Sequence, residues 1–165
     1  MTGTLLRPAF FQRLSQEIER NHKEELLLLV AVINIQDIKN ISVNYGREIG
    51  NNLLNSVAIK ITQHLNPFDL VCYFDDGEFC ISTNVESYQD AENELKALHR
   101  ILVETQFVVN EDTKFYLVAQ IGGVIYNQDQ HLSISQLLQD ANYGLEKIKS
   151  KKQGDFLLLN YPATA

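Results

Sequence analysis

The chain has 165 residues, the size of one domain with enough material for a substantial core, and 45% of them are hydrophobic. A formal charge of −7 and a pI near 5.0 argue against the broad basic surface that sequence-independent nucleic-acid binding needs, while leaving room for a small anion held by local cations. The longest apolar run, 26–33, falls well short of the roughly 18 residues that span a membrane, and the first residues do not show the basic segment, apolar segment and cleavage site expected of a signal peptide.

Residues 7–23 form the first predicted helix, because Phe10, Leu14 and Ile18 recur every fourth position with Phe11 beside them. The run 26–35 is rich in Leu, Val and Ile, the pattern of a central strand covered on both faces. A single helical turn is expected over 38–43, stopping near Tyr45-Gly46. The next helix, 48–65, stacks Leu53, Leu54, Val57, Ile61 and Leu65 and ends before Pro67, which cannot continue it. Strands 69–74 and 78–83 are joined through Asp75-Asp76-Gly77, an Asp-Gly turn whose residues tolerate positive φ. A helix over 87–105 turns Leu95, Leu98, Ile101 and Leu102 inward. Strands 107–109 and 114–126 are expected as a second hairpin, turning at Asn110-Glu111-Asp112. The last helix, 133–151, aligns Leu137, Leu138, Ala141, Leu145 and Ile148, and 156–159 closes as a strand. Helices mixed with hairpins predict an α/β (α+β) domain: a mostly antiparallel sheet with helices packed on it. It is expected to form one unit over 1–165, with Met1-Thr2-Gly3-Thr4 as the cut edge of a larger protein.

Four blocks carry a resemblance. The opening Thr2-Gly3-Thr4-Leu5-Leu6-Arg7-Pro8-Ala9-Phe10-Phe11 is similar to LTGLxNRRxF. Asn34-Ile35-Gln36-Asp37-Ile38-Lys39-Asn40-Ile41-Ser42-Val43-Asn44-Tyr45-Gly46 follows DxDxFKxIND-x-(F/Y)-G. Gly50-Asn51-Asn52-Leu53-Leu54 takes the place of GDxxL, and Asp75-Asp76-Gly77-Glu78-Phe79 stands where GGDEF would be. In this order and at these intervals the chain resembles the bacterial GGDEF family, whose active members join two GTP molecules into cyclic di-GMP. The resemblance implies a nucleotide-cyclase palm, a central sheet of about five strands wrapped by helices.

It also implies that the chemistry is gone. Family members hold divalent metals with the first Asp of DxD and the third residue of GGDEF. Here those positions are Asn34 and Gly77, a neutral amide and no side chain, whereas magnesium takes hard anionic oxygens. The guanine-reading Asn of IND and Asp of GD are replaced by Ser42 and Asn51. Lys39 matches the phosphate-contacting lysine of FK, and Lys149 the family's late AK lysine. Beyond it, Ser150-Lys151-Lys152-Gln153-Gly154-Asp155 replaces the family's GRN. Asn34, Lys39, Ser42, Asn51 and Lys149 are thus the expected vestige of a nucleotide site. The inhibitory product motif RxxD is reduced to Asn66-Pro67-Phe68-Asp69, keeping only Asp69, so product binding is expected to be weak.

Other groups have two readings each. Asp75, Asp76 and Glu78 are either a relocated metal site or a solvated turn, and the turn is favoured because no partner acid remains on the first strand. Asp37 lies one residue past the family's second Asp, so its side chain is expected to point elsewhere. Lys147, Lys149, Lys151 and Lys152 are either an anion site or a solvated helix end that suits the helix dipole, the second being favoured. His22, His64, His99 and His131 are scattered, with no catalytic role expected, and Tyr73 is assigned to packing. Cys72 and Cys80 are expected as structural thiols, ahead of a disulfide or a metal site, in a cytoplasmic protein.

The leading expectation is a catalytically inactive regulatory or interaction domain within a larger cyclic di-GMP signalling protein, for example beside an EAL domain. Its partner would be a neighbouring domain or a second copy. The alternative is a sensor that binds GTP or cyclic di-GMP without turnover. No cofactor is expected, with magnesium entering only if GTP binding survives. An active cyclase with unusual metal ligands is the least favoured reading.

Overall fold

In the computed structural model, residues 4–24, 26–126, 133–150 and 156–159 are described. The chain passes through α1 (Arg7–Glu24), β1 (Leu27–Ile35), α2 (Ile38–Tyr45), α3 (Arg47–His64), β2 (Leu70–Tyr73) and β3 (Glu78–Val85). It continues through α4 (Tyr88–Glu104), β4 (Phe107–Asn110), β5 (Thr113–Phe115), β6 (Ala119–Tyr126), α5 (Ile134–Ser150) and β7 (Phe156–Leu159). Five strands form one sheet in the order β2-β3-β1-β6-β7, antiparallel except for the β6–β7 pair. The uncharged β1 sits at its centre.

The alternation of β1 divides the core in two. Leu29, Ala31, Ile33 and Ile35 face α3 and α4, meeting Leu53, Val57 and Ile61 from one helix and Leu95, Leu98 and Leu102 from the other. Leu28, Val30 and Val32 face α1 and α5, meeting Phe10, Leu14, Leu137, Ala141 and Leu145. The apolar stripe of each long helix is therefore what lets a pair of helices cover each half of the core. α4 is fixed at its start by the Ser87 hydroxyl, which accepts from the Asp90 backbone N–H at 3.1 Å. Among the described residues, no helix is long and apolar enough to cross a membrane.

Two expectations change. The predicted strand 114–126 is two strands: β5 pairs only with β4 in a small separate sheet, and β6 joins the main sheet. Between them the chain crosses from hairpin to sheet, pinned where Gln36 N–H donates to the Val118 carbonyl at 2.9 Å. Residues 115–118 read as strand because they are aromatic, branched and apolar, yet Tyr116 is 67% exposed. The single turn expected at 38–43 is a longer helix, α2, separated from α3 by Gly46 alone at φ 99°.

Candidate functional site

The site begins at the last turns of β1. The strand period puts Asn34 on the same face as Val30 and Val32, and register places Glu78 of β3 opposite it on one side and Gln120 of β6 on the other. Three polar side chains thus stand abreast at one end of the sheet. The Asn34 Nδ2 donates to Gln120 Oε1 at 3.1 Å, and Gln120 is fully buried. The helix above comes close because Gly122 has no side chain: a Cβ there would lie 2.5 Å from the Ala141 carbonyl oxygen and would also strike the Leu145 amide. One turn beyond Leu145, α5 carries Lys149 over the polar row. Its Nζ lies 3.2 Å from Glu78 Oε1 and 3.5 Å from Glu146 Oε1.

The 75–79 hairpin closes the same end. In its turn, Glu78 N–H donates to the Asp75 carbonyl and Phe74 N–H to the Glu78 carbonyl, both at 2.8 Å. Asp76 and Gly77 adopt φ of 49° and 80°. Gly77 is buried; its carbonyl accepts from Ile35 N–H at 2.9 Å, and its N–H donates to the Tyr73 hydroxyl at 3.3 Å. A Cβ on Gly77 would fall 2.8 Å from the Ile35 carbonyl oxygen and 3.2 Å from Ile38 Cγ1. Asp75 and Asp76 are exposed, and Asp75 lies 3.7 Å from Arg7, whose guanidinium sits 4.5 Å over the Phe74 ring. Phe79 is buried with its ring 5.0 Å from that of Tyr73.

These residues do not fit a divalent metal ion. The carboxylate nearest Asn34 across the strands, Glu78, is held by an ammonium group, Asn34 is neutral, and position 77 brings only backbone. Among the described residues no group of three or more His, Cys, Asp or Glu side chains is arranged to hold a metal. Asp37 opens α2 at φ 62°, with its carboxylate turned to the Asn40 amide at 3.4 Å.

Lys39, Ser42 and Asn51 lie instead on α2 and α3. Ser42, on α2, packs its hydroxyl against Gly50 in the space a side chain there would fill. It therefore borders Asn51, which is exposed at the start of α3, as Lys39 is on α2. Asp69 lies in a cleft of about 220 Å³ lined also by Arg13, Thr62, Asn66 and Val71. Burial pushes its carboxyl above the usual range, opposed by hydrogen bonds from the Asn66 amide, at 2.9 Å, and from Thr83.

Several partners were invisible in the blocks. Gln120 had one signal, a strongly polar residue within an otherwise apolar strand. Glu146 had the i,i+3 spacing to Lys149 on one helix, whereas Arg13 had none, because it reaches the Asp69 cleft from a helix distant in sequence. Cys72 and Cys80 are buried free thiols directly opposite each other on β2 and β3, and burial pushes the Cys72 thiol up to about 11 and Cys80 upward as well. Lys147 lies 4.6 Å over the Tyr143 ring. His64 bonds Glu94 at 2.8 Å, and His99 lies 3.1 Å from the Ala119 carbonyl. Thr2, Gly3, His131, Lys151, Lys152 and the rest of 151–155 lie outside the described residues, as does the His22 side chain.

Comparison with known proteins agrees with this architecture. Residues 1–155 match the family model described as diguanylate cyclase, GGDEF domain. The chain is 28% identical over 107 residues to the diguanylate cyclase DgcP of Pseudomonas aeruginosa, covering 65% of this chain and 16% of that protein. It is 24% identical over 150 residues to the cyclic di-GMP phosphodiesterase NbdA of the same organism, covering 91% of this chain and 19% of that protein. The chain thus spans less than a fifth of either curated relative. The fold is similar to the solved GGDEF domain of TpbB (YfiN) from Pseudomonas aeruginosa, with a TM-score of 0.86, 22% identity, and coverage of 95% of this chain and 91% of that one. With nearly its whole length matched by the family model, the chain belongs to the GGDEF-domain family.

Proposed function

We propose that this domain has given up diguanylate cyclase chemistry and serves as a regulatory or interaction module in a larger cyclic di-GMP signalling protein. The observation that carries the reading is the state of the metal cleft, where Asn34 bonds Gln120 and Glu78 bonds Lys149. Phosphoryl transfer asks little covalent work of a protein and much electrostatic work. Divalent ions must sit against the phosphates, on anionic oxygens. Asn34 and Gly77 supply neither. The two curated relatives, named for opposite activities, share this stretch with the chain, so membership of the family is as compatible with regulation as with synthesis.

An interaction role is supported by exposed apolar side chains on α2 and around the β4–β5 hairpin: Val43, Tyr45, Val108, Tyr116 and Val118. The partner is a neighbouring domain, such as an EAL domain, or a second copy. A nucleotide-sensing reading has its own support, in Ser42 lying against Gly50 beside Asn51 and in the retained Lys39. The deciding experiment incubates the purified domain with GTP and magnesium or manganese. No cyclic di-GMP is expected. Product that grows with protein concentration and vanishes in a Glu78→Ala variant would overturn the inactive reading. Calorimetry with GTP and cyclic di-GMP in the same preparation separates sensor from interaction module.

A further inference from the structure

The geometry points to Lys149 as the resident cation of the metal cleft, an ammonium that takes the place of a divalent ion on Glu78 and keeps such ions out. This goes beyond loss of catalysis, because it predicts that substituting the lysine creates metal affinity. Three observations converge. The Nζ lies 3.2 Å from Glu78 and 3.5 Å from Glu146, so it gathers two carboxylates that belong to different elements. The pair with Glu78 is sheltered, the two side chains being 31% and 27% exposed, so solvent screens it less than a surface pair. Its position is built in, since Gly122 lets the α5 backbone touch β6 and so sets the next turn of α5 above Asn34, Glu78 and Gln120.

A divalent ion binding Glu78 would have to displace this ammonium or stand beside it. Displacement breaks two ion pairs, and coexistence places like charges in a partly dry cleft. The remaining neighbours, Asn34 and Gln120, are neutral and already bonded to each other. Restoring the missing strand carboxylate is therefore insufficient on its own. An Asn34→Asp substitution sets a second carboxylate directly opposite Glu78, yet the ammonium neutralises the pair from within.

Manganese is the probe, being an oxygen-seeking divalent ion that can be followed by calorimetry, by paramagnetic broadening and by the shift in melting temperature. The wild-type domain and Asn34→Asp are expected to bind no manganese below millimolar concentration. Asn34→Asp with Lys149→Gln should bind at least tenfold more tightly than Asn34→Asp alone, with a manganese-dependent rise in melting temperature. Asn34→Asp with Lys149→Arg, which keeps the cation, should not. Micromolar binding by the wild type or by Asn34→Asp, with broadening at Glu78, would overturn the proposal. So would a folded Asn34→Asp, Lys149→Gln protein that binds no better than Asn34→Asp. Cyclase activity is not needed for any of these readouts, so the result stands apart from the proposed loss of catalysis.

Discussion

Position 77 shows how completely one residue commits this site. Its φ of 80° favours glycine, and the space a Cβ would take is filled by the Ile35 carbonyl and Ile38. Putting the family's carboxylate back is therefore not a neutral repair. Gly77→Asp should destabilise the domain by about 1–3 kcal/mol, the usual cost of a strained backbone position, and should not produce cyclic di-GMP. Urea unfolding beside the activity assay checks both halves. Asp69 offers a test by pH. Burial raises its carboxyl above its ordinary value of 3.8, so between that value and the raised one the folded chain holds more protons than the unfolded chain. Stability from this group accordingly falls as pH rises through that window and is flat above it. Asp69→Asn should remove the slope: relative to wild type it gains stability as pH rises from below 4 and then levels off, as urea midpoints across pH would show. Motif blocks fix position by local spacing, so Asn34, Gly77 and Glu78 could be marked in the chain alone, and the register sets Asn34 opposite Glu78. The pairing of Glu78 with Lys149 could not be read there, since 71 residues separate them and only the sheet register and the lie of α5 bring them together.

Among the elements, α5 matters most to the site because it carries Lys149 across the sheet. Its seat depends on Gly122, where any side chain meets helix backbone rather than a movable side chain. Gly122→Val should cost about 1–3 kcal/mol or more, as overpacking does, and should lift the last turn of α5 from the polar row. Loss of the Glu78–Lys149 contact by NMR, together with a lowered urea midpoint, is the expected pair of results. By contrast, Ser87→Ala touches only the cap of α4 and should cost about 1 kcal/mol with the site unchanged. The four long helices were legible in the sequence for a simple reason: each lays one apolar stripe on a face of the sheet, so the stripe repeats at helical spacing. The strands were legible where both faces are buried, as in β1. The stretch after the second hairpin misled because Phe115, Tyr116 and Val118 have strand-like chemistry, while the break there is set by tertiary contacts. The Tyr45 ring against Phe115 at 5.2 Å holds the hairpin to α2, away from the main sheet.

At the scale of the whole molecule, a framework with two complete core halves fits the proposed use outside catalysis. Most core substitutions cost about 0.5–3 kcal/mol against a total of roughly 5–15, so an idle fold would be expected to decay. The surface offers a site for that use. Val43 is 76% exposed on α2 and Tyr116 is 67% exposed beyond β5, on elements joined by the Tyr45–Phe115 contact. An acidic chain carrying such side chains is suited to a protein neighbour and poorly suited to nucleic acid. Val43→Asp with Tyr116→Ser should leave the urea midpoint of the isolated domain nearly unchanged, since exposed positions usually shift stability by no more than about 0.5 kcal/mol. In the parent protein the same pair should change the neighbour's activity or the oligomeric state in the direction that deleting the whole domain does. The sensor reading predicts the reverse pattern: Lys39→Ala with Ser42→Ala would abolish a GTP response while the apolar pair changed nothing. Measuring neighbour activity and mass in solution for both pairs, with and without GTP, decides between a domain that works through its surface and one that works through its pocket.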